Sequence, residues 1–156
     1  METIIKTLTE FNLWSVIVRV ALAALCGGLV GSERGRHGRA AGMRTHILVC
    51  LGAAMASLLG VFVTKELEIS SDASRIAAQV ISGIGFLGVG TIIVRNRSQV
   101  TGLTTAAGLW ASACMGLAIG AGFYTGALIG CVLIIATTAL FSKLERRLFS
   151  KCRRHG

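Results

Sequence analysis

The chain has 156 residues, 53% of them hydrophobic, and a mean hydropathy of +0.72, which excludes an ordinary soluble domain and points to an integral membrane protein. A formal charge of +9 could suit nucleic acid, but aromatic residues are only 6% and the basic residues fall in short blocks between apolar runs; the expected partner is the lipid bilayer, and nucleic acid is not. Twenty glycines and no proline leave helix contacts and helix breaks to Gly, Ser and Thr, and five cysteines without C-x-x-C spacing give neither a disulfide nor a metal site.

The first apolar segment, about 11–31, predicts a spanning helix with Gly27 and Gly31 in GxxxG spacing. Lys6, an Arg inside the apolar run and the lack of an A-x-A site argue against a removed signal peptide. That internal charge, Arg19, lies about 12 Å into a helix that starts at Phe11. A charge at such depth costs about 2.5 to 3.5 kcal/mol unless paired or snorkelling, so a partner is expected, with Asp72 and Gln79 as candidates. The loop SERGRHGRAAGMRTH follows, carrying Glu33, Arg34, Arg36, Arg39, Arg44 and Thr45, and the positive-inside rule makes it cytoplasmic. The second span, about 43–64, places Gly52, Ala56 and Gly60 at four-residue spacing for packing.

The third segment, DASRIAAQVISGIGFLGVGTIIVRNR, predicts a span over about 73–95, capped at its N-terminus by Ser71 or Asp72. On a helical period Asp72, Ile76, Gln79, Gly83, Phe86 and Gly90 share one face, expected to meet other helices while Val80, Ile84, Leu87 and Val94 meet lipid. Gly83, Gly85, Gly88 and Gly90 are read as packing glycines. Gly83 to Gly88 also matches G-x-G-x-x-G, but a dinucleotide site needs a preceding strand, a following helix and a later acid, and none is predicted.

The uncharged run from Ser98 to Ser142 would be about 68 Å long as one helix, more than twice a bilayer core, so it must turn. The break is placed at Gly120-Ala-Gly122-Phe-Tyr-Thr-Gly126, giving spans of about 102–119 and 123–142 and a basic cytoplasmic tail over 143–156. On the fourth helix Gly102 and Gly108 are further packing glycines, and Thr104, Thr105 and Ser112 add hydroxyls. Five spans give an all-α bundle with its N-terminus outside and its C-terminus inside. Twelve Lys and Arg then fall inside and three outside, Lys6, Lys65 and Arg75. A short echo at an offset near 60, between the blocks beginning at Arg34 and Arg95, hints at duplicated helical hairpins.

No carboxylate lies deep in a span, and an enzyme is not expected. Arg19, Asp72, Arg75, Gln79, Thr104, Thr105 and Ser112 are candidates for a polar interior or transport route; interhelical hydrogen bonding explains the hydroxyls equally well. Asp72, with carbonyls and hydroxyls, is the one candidate metal ligand, for Mg²⁺, although Arg19 and Arg75 nearby would repel a cation. No resident cofactor is expected.

Three blocks in order, GSERGRHGRAAGMRTHILVCLGAA, DASRIAAQVISGIGFLGVGTII and VTGLTTAAGLWASACMGLAIGAGFY, resemble the MgtC/SapB/YhiD family of bacterial inner-membrane proteins over most of residues 19 to 125. The resemblance implies a multi-pass plasma-membrane protein of magnesium homeostasis, with Mg²⁺ as a transported or sensed ion. Two activities are attached to the family: Mg²⁺ transport, and restraint of the F-type ATP synthase by binding its membrane sector. Transport of a different small solute is a third reading. Self-association, as a dimer, is expected through the glycine faces. The motif positions that carry over include Arg19, Glu33, Arg34, Arg44, Thr45, Asp72, Arg75, Gln79, Gly102 and Thr105. Virulence-type members carry Asn where this chain has Thr104 and Cys where it has Ala111, and they have a soluble C-terminal domain; the short form looks more like the SapB branch.

Overall fold

The computed structural model describes residues 12–65, 67, 72–95 and 99–152, with side chains described up to residue 140 apart from those of 73, 93–95 and 99. Five helices form the fold: α1 (Leu13–Arg36), α2 (Met43–Lys65), α3 (Ala73–Gly90), α4 (Leu103–Gly120) and α5 (Tyr124–Cys152). Between α3 and α4 lies an antiparallel hairpin of β1 (Ile93–Arg95) and β2 (Gln99–Thr101), in the register Ile93 to Thr101. By length and composition α1, α2 and α4 can each cross a membrane, and Ser74–Gly90 and Tyr124–Leu140 are shorter apolar helical stretches.

Three helix ends differ from the expected ones. The first helix runs on through the basic block to Arg36, where His37 is its C-cap and Gly38, with φ of +62°, lets the Arg39 amide reach back to the Arg34 carbonyl. The third stops at Gly90 rather than near 95, because the β-branched run Thr91-Ile-Ile-Val94 favours extended chain once a partner strand is available. The fifth continues unbroken to Cys152, so the backbone of most of the basic tail is helical; residues 153–156 lie outside the described residues. The two connections that the sequence echo would equate are unlike: a short turn joins α1 to α2 and a β-hairpin joins α3 to α4.

The core lies around α2. On one side Gly27 and Gly31 of α1 approach it so closely that a Cβ on Gly27 would lie 2.7 Å from the His46 carbonyl oxygen and one on Gly31 would lie 2.6 Å from the Met43 Cα. On the other side Gly116 and Gly120 of α4 rest against the backbone carbonyls of Cys50 and Ala54, and a Cβ at either would collide with them. Small residues thus let three backbones come together where no bulky core is available. Ala23, Cys26, Val30, Cys50, Ala54, Met115, Ile119, Ala127 and Cys131 form one buried cluster across α1, α2, α4 and α5. Ala41, Val49, Ala53, Leu109, Ala113 and Leu117 form a second, covered by Ala77, Val80 and Ile84 of α3.

That covering overturns part of the face expected of the third helix; Leu87 is exposed as expected, and the Val94 side chain lies outside the described residues. Val80 and Ile84 pack inward, while Gln79, Gly83, Gly85 and Gly90 are exposed and Phe86 is 84% exposed. Within one chain the apolar stripe complements the Leu109, Ala113 and Leu117 surface of α4, and burying it there outweighs the contacts the glycine stripe could make. Gly88 alone of the four α3 glycines meets a neighbour, the Cβ of Ala106. Gly52, also read as a packing residue, faces open space, and the paired glycines of α4 do that work.

Candidate functional site

The buried polar side chains among the described residues are Ser15, Arg19, Arg34, His46, Thr105 and Ser112. Their ionisable members are all basic. Apart from Ser112, midway along α4, they fall into two groups at opposite ends of α4, which runs antiparallel to α1.

Arg19 serves the C-terminal end. The turn from α4 into α5 uses Gly122 at φ +86°, and the last carbonyls of α4 there need donors. Arg19 Nη1 donates to the Gly120 carbonyl at 2.8 Å, and Nε donates to the Tyr124 hydroxyl at 3.0 Å. The guanidinium carbon also stands 5.9 Å from the Tyr124 ring centroid, and a Cβ on Gly122 would press to 3.4 Å from Nη2. A cation at the negative end of a helix dipole is favourably placed.

The partners expected from sequence are elsewhere. Asp72 is exposed and caps α3, its Oδ1 accepting from the Ser74 amide at 2.8 Å; Gln79 is exposed on the outer face of the same helix, and neither meets Arg19. Hydrogen bonds from Ser74 hold the Asp72 carboxyl below its ordinary pKa, with the Arg75 charge adding to the effect. A cap used this way, with Arg75 beside it, does not fit Mg²⁺, which asks for several oxygen ligands in a tight octahedron. Among the described residues no group of three or more His, Cys, Asp or Glu could hold a metal ion.

Arg34 serves the other end. Although it belongs to a basic block expected to be a loop, it lies on the last turn of α1 and is only 3% exposed. Its Nη2 donates to the Thr105 hydroxyl at 2.8 Å, in the first turn of α4. His46, on the first turn of α2, is fully buried, and its Nδ1 lies 2.9 Å from the Gly42 carbonyl oxygen. The remaining loop residues behave as a solvated rim: Arg39, Arg44 and Thr45 are exposed, and Glu33 pairs with His37 at 3.1 Å, one turn on.

Of the fourth-helix hydroxyls, Thr105 and Ser112 are buried and face the bundle, whereas Thr104 is exposed and lines a cleft of about 270 Å³ between α4 and α5 together with Gly108, Thr137 and Thr138. Gly102 is a turn residue: its φ of +98° and the adjacent Thr91 carbonyl exclude any side chain. Arg75 is exposed at the start of α3. His46 and Tyr124 were not among the expected site residues. His46 four residues after Gly42 is the only cue the sequence offers, and Tyr124 carries none.

The MgtC family profile matches residues 20–147. The chain belongs to the MgtC family. It is 40% identical over 139 residues to the Escherichia coli K12 protein named "Putative magnesium transporter YhiD", covering 86% of this chain and 64% of that one. Protein MgtC of Brucella abortus is 45% identical over 139 residues, covering 88% of this chain and 56% of that one. Protein MgtC of Salmonella typhimurium strain LT2 is 41% identical over 133 residues, covering 85% and 54%. This MgtC-family chain therefore spans between about half and two thirds of the length of these relatives. No solved structure matches it.

Proposed function

We propose that this chain is a non-enzymatic protein of magnesium homeostasis in the bacterial plasma membrane. In this reading all five helices cross the bilayer, the N-terminus is outside and the C-terminus inside, and the chain acts on another membrane protein rather than conducting Mg²⁺ through its own interior. The name of the Escherichia coli relative supports the link to magnesium, and the apolar length of α1, α2 and α4 supports the membrane.

One observation carries the choice of mechanism: the basic side chains Arg19, Arg34 and His46 are buried among the described residues, and no Asp or Glu is buried with them. A divalent cation moving past two desolvated guanidinium groups meets repulsion that the few hydroxyls cannot offset, since interactions between charges strengthen as water is removed. The outward face of α3 supports the regulatory reading. Gln79, Gly83 and Gly90 share an outward face with the 84% exposed Phe86, a mixed surface that suits a partner helix, supplied by a second copy or by a larger membrane complex such as the F-type ATP synthase that the family resemblance implies.

The transport reading rests on a different feature, the cleft between α4 and α5, whose lining is mostly apolar with Thr104, Thr137 and Thr138 among it; that lining suits a small apolar solute better than Mg²⁺. Reconstitution separates the two. The expected result is that purified protein in liposomes gives Mg²⁺ flux equal to empty vesicles under both concentration gradients and membrane potential, while the same gene restores growth of a deletion strain at low Mg²⁺. Saturable Mg²⁺ uptake that needs the protein would overturn the regulatory reading.

A further inference from the structure

The first and fifth helices run side by side in a fixed register. Arg19 meets Tyr124 and the Cys26 carbonyl meets the Cys131 thiol, both pairs 105 residues apart. At that offset Arg36, the last residue of α1, comes level with Phe141. The fourth helix is antiparallel, tied to Arg19 at Gly120 and to Arg34 at Thr105, and its first residue, Leu103, comes level with Phe141 as well. These are the two helices that α5 chiefly packs on. Past both of their ends α5 continues unbroken to Cys152, about 16 Å further. Most helical stability comes from packing along an apolar face, so the projecting turns call for a neighbour that α1 and α4 do not supply.

One stripe of α5 runs through both parts. Ala127, Gly130, Ile134, Thr137, Phe141, Leu144 and Leu148 follow one another in alternating steps of three and four, a heptad pattern without a charge. It starts in the core, where Ala127 is buried in the cluster shared with α1, α2 and α4. It then leaves the core. A Cβ on Gly130 would meet nothing within 4 Å, and Ile134 and Thr137 line the open cleft beside Thr104 and Ala111. A second cleft, of about 300 Å³, sets Gly130 and Ile134 beside Trp110 and shares Ala111 and Ile134 with the first. Leu133 and Leu140, which flank the stripe, are 59% and 63% exposed. Beyond Leu140 the positions of Lys143 and Arg146 fall on the side of the helix away from those of Phe141, Leu144 and Leu148.

Acyl chains can cover the first part of this stripe but cannot follow it, because the apolar length of α5 ends at Leu140 and the stripe goes on to Leu148. A second α5, inserted in the same orientation and therefore parallel, follows it from lipid into water. We propose that the chain forms a two-fold homodimer whose seam is α5 against α5 from Gly130 to Leu148, with the clefts beside α4 taking flanking side chains of the second copy. Gly130 lets the two backbones approach within the bilayer, and Phe141, Leu144 and Leu148 supply the a and d positions of a short coiled coil beyond it. The contact is about 28 Å long and about 20 Å wide, the width of two helices, and covers roughly 560 Å² in projection. The corrugation of side chains carries the buried area toward about 800 Å² per partner, the standard for a stable complex. Paired this way, each copy keeps its α3 face for another membrane protein. The inference rests on α5 crossing the bilayer, as proposed above, and is otherwise independent of the magnesium reading.

Single cysteines in the full chain, in a background without the native ones, test the seam in membranes. Under copper-phenanthroline oxidation Thr137→Cys, Phe141→Cys and Leu144→Cys should each give a covalent dimer in most of the protein, and Lys143→Cys and Arg146→Cys on the back of the same helix very little. Leu144→Glu combined with Leu148→Glu should weaken association at least tenfold, read by energy transfer between labelled copies in liposomes of decreasing protein-to-lipid ratio. The unfolding midpoint of the monomer should stay as it was, because both positions lie beyond α1 and α4. Equal crosslinking from the front and back positions, or dimers linked through Gly83→Cys and Phe86→Cys on α3 in place of those on α5, would overturn the proposal. A chain that is monomeric at every ratio, while Ser150→Cys labels only from the cytoplasmic side, overturns the dimer, leaves lipid as the cover of the stripe and keeps the topology; labelling of Ser150→Cys from outside overturns both.

Discussion

Arg19 Nη1 donates to the Gly120 carbonyl oxygen across 2.8 Å, so a cation from the first helix closes the C-terminal end of the fourth and the turn into the fifth. This bond, with the one to Tyr124, fixes the turn that orients α5. Removing the charge by Arg19→Leu leaves a helix end without its donor and should cost about 1.5 to 3 kcal/mol, the range for hydrogen bonds to charged groups. Tyr124→Phe keeps the ring and should cost about 0.5 to 1.5 kcal/mol. Unfolding in mixed micelles would measure both, and exchanging Arg19 with Asp72 should restore nothing.

Glycines of α4 and α3 should respond oppositely to alanine. At Gly116 and Gly120 a methyl group must push α2 away, with an expected loss of about 1 to 3 kcal/mol from overpacking. Gly83→Ala and Gly85→Ala place methyls in open space, and the monomer should be as stable as before or slightly more so, since Ala favours helix over Gly. Should these two α3 changes abolish low-Mg²⁺ growth without altering expression, a partner helix on that face is the explanation.

The Asp72 cap gives a pH dependence with a definite sign. Its carboxyl pKa is lowered in the folded chain by Ser74, so its contribution is complete above the unfolded carboxylate pKa and is lost as pH falls through the lower folded value. Protection of the first-turn amides of α3 should drop in acid in the parent protein. In Asp72→Asn, which caps without titrating, it should hold steady, and Asp72→Ala should show weak protection throughout. Hydrogen exchange read as the ratio between variants removes the intrinsic pH effect.

Five spans require Arg39 and Leu67 to stand on opposite sides of the membrane. Both are exposed. In a background without the native cysteines, Arg39→Cys should react with an impermeant maleimide only in inverted vesicles and Leu67→Cys only in intact spheroplasts. Labelling of both from one side would refute the topology.

The sequence by itself determined the class of protein, the apolar segments and the turn near Gly120, because each depends on local quantities: length against bilayer thickness, charge along the chain, and glycine where the chain must reverse. The GxxxG pair Gly27 and Gly31 was legible for the same reason. Tertiary structure decided which face of α3 points inward, since a polar stripe and an apolar stripe are both visible in the sequence and only the surface of α4 chooses between them. It also decided that Arg19 meets a carbonyl from α4 and the hydroxyl of Tyr124, and that Arg34 and His46 leave a basic loop to be buried together. Partners more than fifty residues apart are set by how helices pack in three dimensions, and no periodicity in one helix records which neighbour it will find.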